Sequence, residues 1–302
     1  MAERIVIAIP TYRRPLSLKR LLDAIARLET RCDVAVLVAD NDAEQKEGLA
    51  LCQRLAPAYR WPLTSVMAEE RGIAQVRNVL VEQALRDPKA GFIAMIDDDE
   101  WPAPDWLDQF LAVQRQTGAE VLQGSILFEQ DGDAVAVPDV TRPTGPVAML
   151  QGAGNLLIQR RVLEETPRPW FDPSFALTGG EDFEFFTRLA KAGRRFAWAD
   201  GARAYGEVPA SRRDLAWVLT RAYSTGNSDM RVLLKHQPGL RTLLRESVKI
   251  AGAVLLSLPL ALILAPSPNR RRRPLMKLYR AAGKAAAIAG RSHNEYALVH
   301  GE

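Results

Sequence analysis

The first 117 residues alternate between short apolar segments and amphipathic segments, and this rhythm constrains the fold more than any other feature. The apolar segments are rich in Val and Ile, which is typical of buried strands. They are "RIVIAIP", "DVAVLVADND", "PLTSVMAE" and "GFIAMIDDDE". The segments with helical spacing are "SLKRLLDAIARL", residues 44–55, "GIAQVRNVLVEQAL" and "PDWLDQFLAVQRQ". Because right-handed crossovers connect such units, the sequence predicts an α/β fold with a mostly parallel sheet flanked by helices.

After Gly118 the pattern changes. "AEVLQGSILFE" predicts a strand with an antiparallel partner, and a segment rich in Pro, Gly and Asp follows to about Pro146. "GAGNLLIQRRVLEE" predicts a strand and a short helix, whereas "EDFEFFTRLAKAG" and "RDLAWVLTRAYSTG" predict two further helices. The first of these is expected to end at Gly193, since glycine is frequent just after a helix.

The C-terminal part is expected to be a helical tail, so that the sequence divides into a main domain over 1–230 and a tail over 231–302. Residues 250–265 are almost wholly apolar but contain Pro259. This stretch is shorter than the ~20 residues that usually span a bilayer. Residues 270–291 are basic and predict an amphipathic helix lying on lipid. A spanning, a re-entrant and an interfacial arrangement all stay open.

Charge is distributed unevenly along the chain. Residues 248–302 carry nine Lys and Arg against two Glu, whereas the remaining residues carry 31 Lys and Arg against 34 Asp and Glu. A basic tail beside an apolar stretch indicates an anionic membrane surface, and the acidic body argues against nucleic acid as a partner. Two cysteines cannot form a disulfide framework, and "MAERIVIAIP" does not resemble a signal peptide. We therefore expect a cytoplasmic protein at the inner face of a membrane.

Three acidic clusters follow predicted strands or begin a predicted helix. They are Asp40 with Asp42, the run Asp97–Glu100, and Glu181 with Asp182. In parallel α/β sheets, ligands bind at the carboxyl ends of the strands. These clusters are therefore the candidates for a functional site.

The run Asp97–Glu100 directly follows the apolar segment "FIAMI". On an extended segment alternate side chains point the same way, so Asp97 and Asp99 are expected to share a face. Such a pair of carboxylates suits a hard divalent cation, Mn²⁺ or Mg²⁺. Glu100 with "WP" is expected to start the next helix. The alternative for the whole run is a solvated turn that caps the next helix through Asp105.

The order and spacing of four motifs resemble those of family 2 glycosyltransferases with a GT-A fold. The motifs are "IAIPTYRRP", "VADND", "IDDDEWPAPDWL" and "TGGEDFEFFTRLAKAG", and the resemblance covers roughly residues 4–225. Among that family, the chain is similar to the cytoplasmic, succinoglycan-type enzymes that extend lipid-linked bacterial surface polysaccharides.

The resemblance implies a nucleotide and donor site formed by residues that follow the first strands. They are Pro10, Thr11, Arg13, Asp40, Asp42, Arg77, Asp97 and Asp98. Asp40 and Asp42 are implied to contact the base and ribose, and Arg77 matches the family's "ARN" segment. Asp97 and Asp99 correspond to the "DXD" element, with Asp99 as the direct metal ligand. "GAGN" at 152–155 resembles a glycine-rich segment beside the donor sugar, although a tight turn explains it equally well.

The resemblance also assigns the acceptor side. Asp182 is implied to be the catalytic base, with Glu181 as the alternative, and Gly179 and Gly180 offer bare backbone to an acceptor sugar. Acids also favour the first turn of any helix, so a purely structural interpretation exists. Trp101 and Trp170 could stack on sugars, but packing is the simpler role for each.

Together these features predict an inverting, metal-dependent transferase that moves one sugar from a nucleotide-sugar, UDP-hexose by default, to a lipid-linked saccharide. The "QxxRW" element of processive family members is not found in the sequence. A metal-dependent nucleotidyltransferase is the alternative enzyme, but "IPTYRRP" lacks a glycine-rich phosphate loop. A non-catalytic membrane-associated scaffold is the alternative from another class, and the complete set of acids speaks against it.

Overall fold

Ten strands form one mixed sheet in the part of the chain that the computed structural model describes, namely residues 3–130, 133–136, 142–207 and 214–294. The strands are β1 (Arg4–Thr11), β2 (Asp33–Asp40), β3 (Leu63–Met67), β4 (Phe92–Ile96), β5 (Glu100–Pro102), β6 (Val121–Gln130), β7 (Asp133–Ala136), β8 (Gly145–Val147), β9 (Asn155–Gln159) and β10 (Phe196–Glu207). Their order is β3-β2-β1-β4-β9-β6-β10-β5, with β7 beside β6 and β8 beside β10.

The helices flank this sheet or follow it in the chain. They are α1 (Pro15–Ala26), α2 (Glu47–Leu55), α3 (Ile73–Ala84), α4 (Trp106–Thr117), α5 (Arg160–Glu165), α6 (Glu181–Lys191), α7 (Leu215–His236), α8 (Leu240–Ile263) and α9 (Pro268–Ile288). The predicted alternation of strands and helices up to α4 is confirmed.

The first four strands are all parallel, so their carboxyl ends meet at one edge of the sheet. In the register, Thr11 of β1 lies opposite Asp40 of β2. Beyond β4 the sheet is mixed, because β9 runs antiparallel to both β4 and β6. The predicted antiparallel partner of β6 is thereby confirmed, and the parallel half of the sheet is the part that gathers the acidic strand ends.

The core lies beneath this parallel half. Alternate β1 residues Ile5, Ile7 and Ile9 are fully buried, and they belong to one apolar cluster with residues of α1 and α4 such as Leu18 and Phe110. The buried Asn155 side chain links these elements by hydrogen bonds. It accepts from Trp106 Nε1 and donates to two backbone carbonyl groups. This packing fixes the strand ends on which the candidate site stands.

Glu120, just before β6, is buried among arginines. Its carboxylate accepts from Arg161 at 2.8 Å and Arg194 at 3.2 Å, and from the backbone N–H of Arg195 at 3.1 Å. Burial raises the pKa of this group, but the hydrogen bonds and charges of these arginines outweigh it and hold the pKa below its ordinary value.

The chain forms two compact units. The first comprises residues up to 173 together with 184–208, and it contains the sheet. The second comprises residues 174–183 together with the chain from 209 to 300, and it contains α7, α8 and α9. The sequence places its division at residue 230, which lies inside α7. That division stays a prediction.

Within the second unit, α7 and α9 approach backbone to backbone. A Cβ added to Gly226 would lie 2.1 Å from Arg280 O, and one added to Gly283 would lie 2.0 Å from Tyr223 O. Asn227 reinforces the contact, because its amide donates to Gly283 O at 3.2 Å. Only glycine permits so close an approach at these two positions.

α8 begins well before the predicted apolar stretch 250–265, ends at Ile263 and includes Pro259 within its 24 residues. Its length of about 36 Å exceeds a hydrocarbon core of about 30 Å. Among the described residues it is the one helix long and apolar enough to cross a membrane, by length and composition only. Much of its apolar surface is exposed, for example Leu256 at 77% and Ile263 at 73%.

Candidate active site

The acid run is a tight turn. β4 ends at Ile96, and the backbone N–H of Glu100 donates to Asp97 O at 3.1 Å. The expectation of an extended segment at Asp97–Asp99 is therefore wrong, because this turn reverses the chain. The side chains of Asp97 and Asp99 are 33% and 31% exposed, whereas that of Asp98 is only 7% exposed.

Two arginines pair with the three aspartates. Arg14 Nη1 lies 2.9 Å from Asp99 Oδ2 and 3.1 Å from Asp98 Oδ1. Arg77, buried on α3, donates to Asp97 Oδ1 at 3.1 Å. Arg14 was missed by the sequence interpretation, which selected its neighbour Arg13.

Asp98 is buried against the end of β1, where Thr11 Oγ1 donates to its Oδ2 at 2.8 Å. Pro10 precedes Thr11 on the same buried strand. Burial raises the pKa of Asp98 to about 7, although the charge of Arg14 opposes the shift. Thr11 and Asp98, both selected from the sequence, are thus brought into direct contact.

Glu100 begins β5, so the expectation that it starts the next helix is wrong: α4 begins at Trp106. Its carboxyl group is buried, and its Oε2 has no hydrogen-bond partner. Burial and the charges of Asp97 and Asp99 raise the pKa of Glu100 well above its ordinary value. Sequence reasoning missed Glu100 because its burial depends on residues far along the chain.

Gly154, in the "GAGN" segment, is one of those residues. A Cβ added to it would lie 2.8 Å from Glu100 Oε1 and 3.1 Å from Asp97 Oδ2. Its carbonyl oxygen accepts from the backbone N–H of Asp97 at 3.2 Å. The segment therefore brings bare backbone against two of the acids.

Asp40, the last residue of β2, and Asp42, which follows the strand, make local contacts. The buried Asp40 carboxylate accepts from the backbone N–H groups of Asp42 at 3.0 Å and Leu49 at 2.9 Å. Asp42 pairs with Arg13, whose Nε lies 2.9 Å from Asp42 Oδ2. Burial raises the pKa of Asp42, but Arg13 and nearby backbone N–H groups outweigh it and lower the pKa below its ordinary value.

Arg13 adopts a left-handed conformation with φ of 53°. This conformation is unusual for a residue other than glycine, and it is therefore notable next to a candidate site. Asn41 was also missed: its side chain accepts from Gly72 N and donates to Ala68 O and Glu70 O, which ties the ends of β2 and β3 to the start of α3.

Glu181, Asp182, Gly179 and Gly180 belong to the second unit. Glu181 is buried, whereas Asp182 is partly exposed and its Oδ1 accepts from Phe183 N at 2.7 Å. Gly179 and Gly180 have φ of 71° and 93°, which favours glycine at both positions. Of the two acids, Asp182 is therefore the more exposed.

The two tryptophans differ. Trp170 is buried and donates to Leu163 O at 2.8 Å, which is a packing role. Trp101 is half-buried on β5, and the guanidinium of Arg20 lies 3.5 Å from its ring centroid. Arg20 thus covers the ring that was considered for sugar stacking.

The donor set around the acid turn fits a divalent cation. Among the described residues, no three His, Cys, Asp or Glu side chains are grouped as a ready-made metal site. The turn nevertheless gathers four carboxyl groups against the two guanidinium groups of Arg14 and Arg77, and Glu100 Oε2 is buried without a partner. Several carboxylate oxygens that meet at one turn are the hard ligands that suit Mg²⁺ or Mn²⁺.

Comparison with known proteins agrees with this geometry. The family model described as "Glycosyl transferase family 2" matches residues 6–164. The succinoglycan biosynthesis protein ExoM of Rhizobium meliloti (strain 1021) is 30% identical over 305 residues, which cover 94% of this chain and 92% of that protein.

Two solved structures are also similar. The mannosyltransferase PcManGT from Pyrobaculum calidifontis, in complex with GDP-Man and Mn²⁺, has a TM-score of 0.65 and 17% identity, covering 96% of this chain and 88% of that one. S. aureus TarS 1–349 in complex with UDP-GlcNAc has a TM-score of 0.53 and 14% identity, covering 95% and 92%. At these identities the likeness concerns the fold.

Proposed function

Because the chain belongs to glycosyltransferase family 2 and has the GT-A fold, we propose that it transfers one sugar from a nucleotide-sugar to a lipid-linked glycan in surface polysaccharide synthesis. The donor we propose first is a UDP-hexose, and the transfer inverts the anomeric carbon. The observation that carries the proposal is the turn Asp97–Glu100, held between Arg14 and Arg77 beside the carboxyl ends of parallel strands.

On the donor side, Asp99 and Asp97 would hold Mn²⁺ or Mg²⁺, and Asp98 would contact the donor. A bound divalent cation acts as a Lewis acid that stabilises the charge developing on the leaving nucleoside diphosphate. Arg14 and Arg77 add guanidinium groups that suit phosphate oxygens. The Mn²⁺ and GDP-Man in the structure of PcManGT and the UDP-GlcNAc in that of TarS support this assignment.

Pro10, Thr11, Arg13, Asp40 and Asp42 would shape the nucleotide pocket. Their contacts give them a supporting role: Thr11 orients Asp98, and Asp40 and Arg13 hold the chain around Asp42. We propose that the base and ribose lie over this ordered strand end.

On the acceptor side, Asp182 would take the proton of the attacking hydroxyl group, and Glu181 is the alternative base. A general base must be reachable by the substrate, and Asp182 is partly exposed whereas Glu181 is buried. Gly179 and Gly180 would let the acceptor sugar approach the backbone.

The test of the catalytic assignment is Asp182→Asn. With UDP-glucose, Mn²⁺ and a lipid-linked saccharide acceptor, the variant should release UDP at a rate reduced at least about 100-fold, a typical contribution of a general base. Its affinity for UDP and Mn²⁺, measured by calorimetry, should be unchanged. Full activity in the variant would exclude Asp182 as base, and Glu181→Gln would then be examined.

The metal assignment is tested by EDTA and by Asp99→Asn. Stripping the metal should abolish UDP release, and added Mn²⁺ should restore it. Asp99→Asn should weaken Mn²⁺ binding, as measured by electron paramagnetic resonance. Activity that persists in a metal-stripped preparation would contradict the proposed metal dependence.

We further propose that the second unit binds the cytoplasmic face of the bacterial inner membrane. Exposed apolar side chains of α8 supply hydrophobic surface, and Arg270–Arg273 at the start of α9 supply positive charge for anionic lipids. A lipid-linked acceptor, suggested by the similarity to a succinoglycan biosynthesis protein, would be presented at such a surface.

The membrane proposal is tested by flotation with vesicles containing phosphatidylserine. Replacing Leu256 and Ile263 by Ser should reduce binding, because each removes exposed apolar area. Leu16→Ser is the control, since Leu16 is 70% exposed on α1. Undiminished flotation of the double variant would refute the role of α8.

A further inference from the structure

The segment that leads into Asp182 belongs to the same compact unit as the C-terminal helices. Residues 174–183 are grouped with α7, α8 and α9 and not with the sheet, although α6, which they begin, continues into the first unit. We infer that Arg231 of α7 is a positioning residue: it fixes the segment that carries the candidate base. This inference rests on the proposed function.

Arg231 holds the segment at two points. Its Nη1 donates to Thr178 Oγ1, and its Nη2 donates to Ser174 O at 2.9 Å. Between these points, its guanidinium carbon lies 4.6 Å from the ring centroid of Phe175. A single side chain therefore spans the segment from its first residue to the one that precedes the glycine pair.

A neighbouring residue of α7 secures the glycine pair itself. Ser228 Oγ donates to Thr178 O at 3.1 Å. A Cβ added to Gly180 would lie 2.8 Å from Ser228 Cβ, so the backbone of Gly180 is in close contact with the helix. Ser228 and Arg231 are three residues apart and thus lie on the same face of α7.

Such a clamp matters because the segment ends in two glycines. Glycine has more conformational freedom to lose than any other residue, so a Gly-Gly pair does not hold its own conformation. Asp182 follows the pair after one residue. Displacing a catalytic group by about 1 Å can cost about 100-fold in rate. The contacts of Ser228 and Arg231 with the segment therefore fix a conformation that the glycine pair does not hold by itself.

The test compares Arg231→Met with Arg231→Lys, and uses Arg221→Met, an exposed arginine of the same helix, as the control. UDP release from UDP-glucose with Mn²⁺ and a lipid-linked saccharide acceptor gives kcat and KM, and calorimetry gives the affinity for UDP and Mn²⁺. We expect kcat of Arg231→Met to fall about 10- to 100-fold with KM and affinity unchanged. Arg231→Lys should recover part of the loss, and Arg221→Met should match the wild type.

Hydrogen exchange adds a readout that does not depend on activity. Backbone amides of residues 174–183 should exchange faster in Arg231→Met, while those of β1 and β4 should not change. A kcat within twofold of the wild type, equal losses in kcat and nucleotide affinity, or unchanged exchange would each overturn the inference. A wild-type protein inactive with every nucleotide-sugar tested would instead refute the proposed function, and the exchange data would still decide the role of Arg231.

Discussion

The guanidinium of Arg14 bridges two carboxylates of the acid turn, 2.9 Å from Asp99 Oδ2 and 3.1 Å from Asp98 Oδ1. It therefore acts as an internal counter-ion at the position where the proposed metal would bind. The cation and the guanidinium favour the same oxygens.

Replacing Arg14 by Met should accordingly strengthen the binding of Mn²⁺ in the absence of nucleotide. Removing a competing positive charge worth about 1.4 kcal/mol corresponds to about a tenfold gain in affinity. Electron paramagnetic resonance of Mn²⁺ measures the change. Arg54→Met, an exposed substitution on α2, should leave the affinity as in the wild type. Weaker Mn²⁺ binding in Arg14→Met would show that Arg14 supports the metal site instead of competing for it.

Gly154→Ala should disturb the acid turn. The new methyl group would come within 2.8 Å of Glu100 Oε1 and 3.1 Å of Asp97 Oδ2, so at least one of these carboxylates must move. We expect UDP release to fall by about 10- to 100-fold, because misplaced catalytic groups are costly. Gly91→Ala, where the nearest atom is the end of the Glu3 side chain, is the matched control. Normal activity in Gly154→Ala would mean that the two carboxylates adapt without consequence.

Gly283→Ala should destabilise the helical unit. Its Cβ would lie 2.0 Å from Tyr223 O, so α7 and α9 would have to separate. Overpacking of this kind typically costs about 1–3 kcal/mol, and here a backbone atom opposes the methyl group. In thermal unfolding, Gly283→Ala should melt at a lower temperature than Gly252→Ala. The Cβ added at residue 252 has no atom within 4 Å, so that variant is the control. Equal melting temperatures would contradict the close approach of the two helices.

Glu120 supplies a pH dependence. Its pKa in the folded protein is below the ordinary value of 4.5, so its contribution to stability is present above that pH and is lost as the pH falls further. Glu120→Gln should therefore lower the free energy of unfolding at pH 7 by about 1–3 kcal/mol, and the melting temperature should fall with it. The difference from the wild type should shrink below pH 4.5. Scanning fluorimetry from pH 3.5 to 7 measures the melting temperatures of both proteins. The control is Glu164→Gln, because Glu164 forms a more exposed ion pair with Arg160.

The sequence predicted the parallel half of the fold well, because each apolar strand there is followed by its own amphipathic helix. β10 escaped prediction. Its sequence "FAWADGARAYGE" carries small and polar residues, and its pairing with β5, β6 and β8 depends on partners distant in the chain. Tertiary pairing, which no local pattern records, decides such strands.

The candidate site was predicted in its residue types more than in its contacts. Thr11 contacts Asp98 and Arg77 contacts Asp97, whereas the pairing of Arg14 instead of Arg13 with the acid turn goes with the left-handed φ of Arg13, which spacing does not reveal. Glu100 lies in the site because Gly154 has no side chain to occupy the space that the Glu100 carboxyl group fills. The misses of Arg14 and Glu100 each concern backbone geometry at a single residue, Arg13 for the first and Gly154 for the second.

The grouping of residues 174–183 with α7, α8 and α9 bears on how such enzymes diverge. A hybrid gene joined at residue 230 would interrupt α7. It would combine residues 174–183 and Ser228 from one parent with Arg231 from the other. A functional exchange would have to transplant two separate stretches of the chain together. Under the proposed function, the residues of the acceptor side and the helices proposed to bind the membrane would therefore have to be exchanged together, as two stretches of one unit.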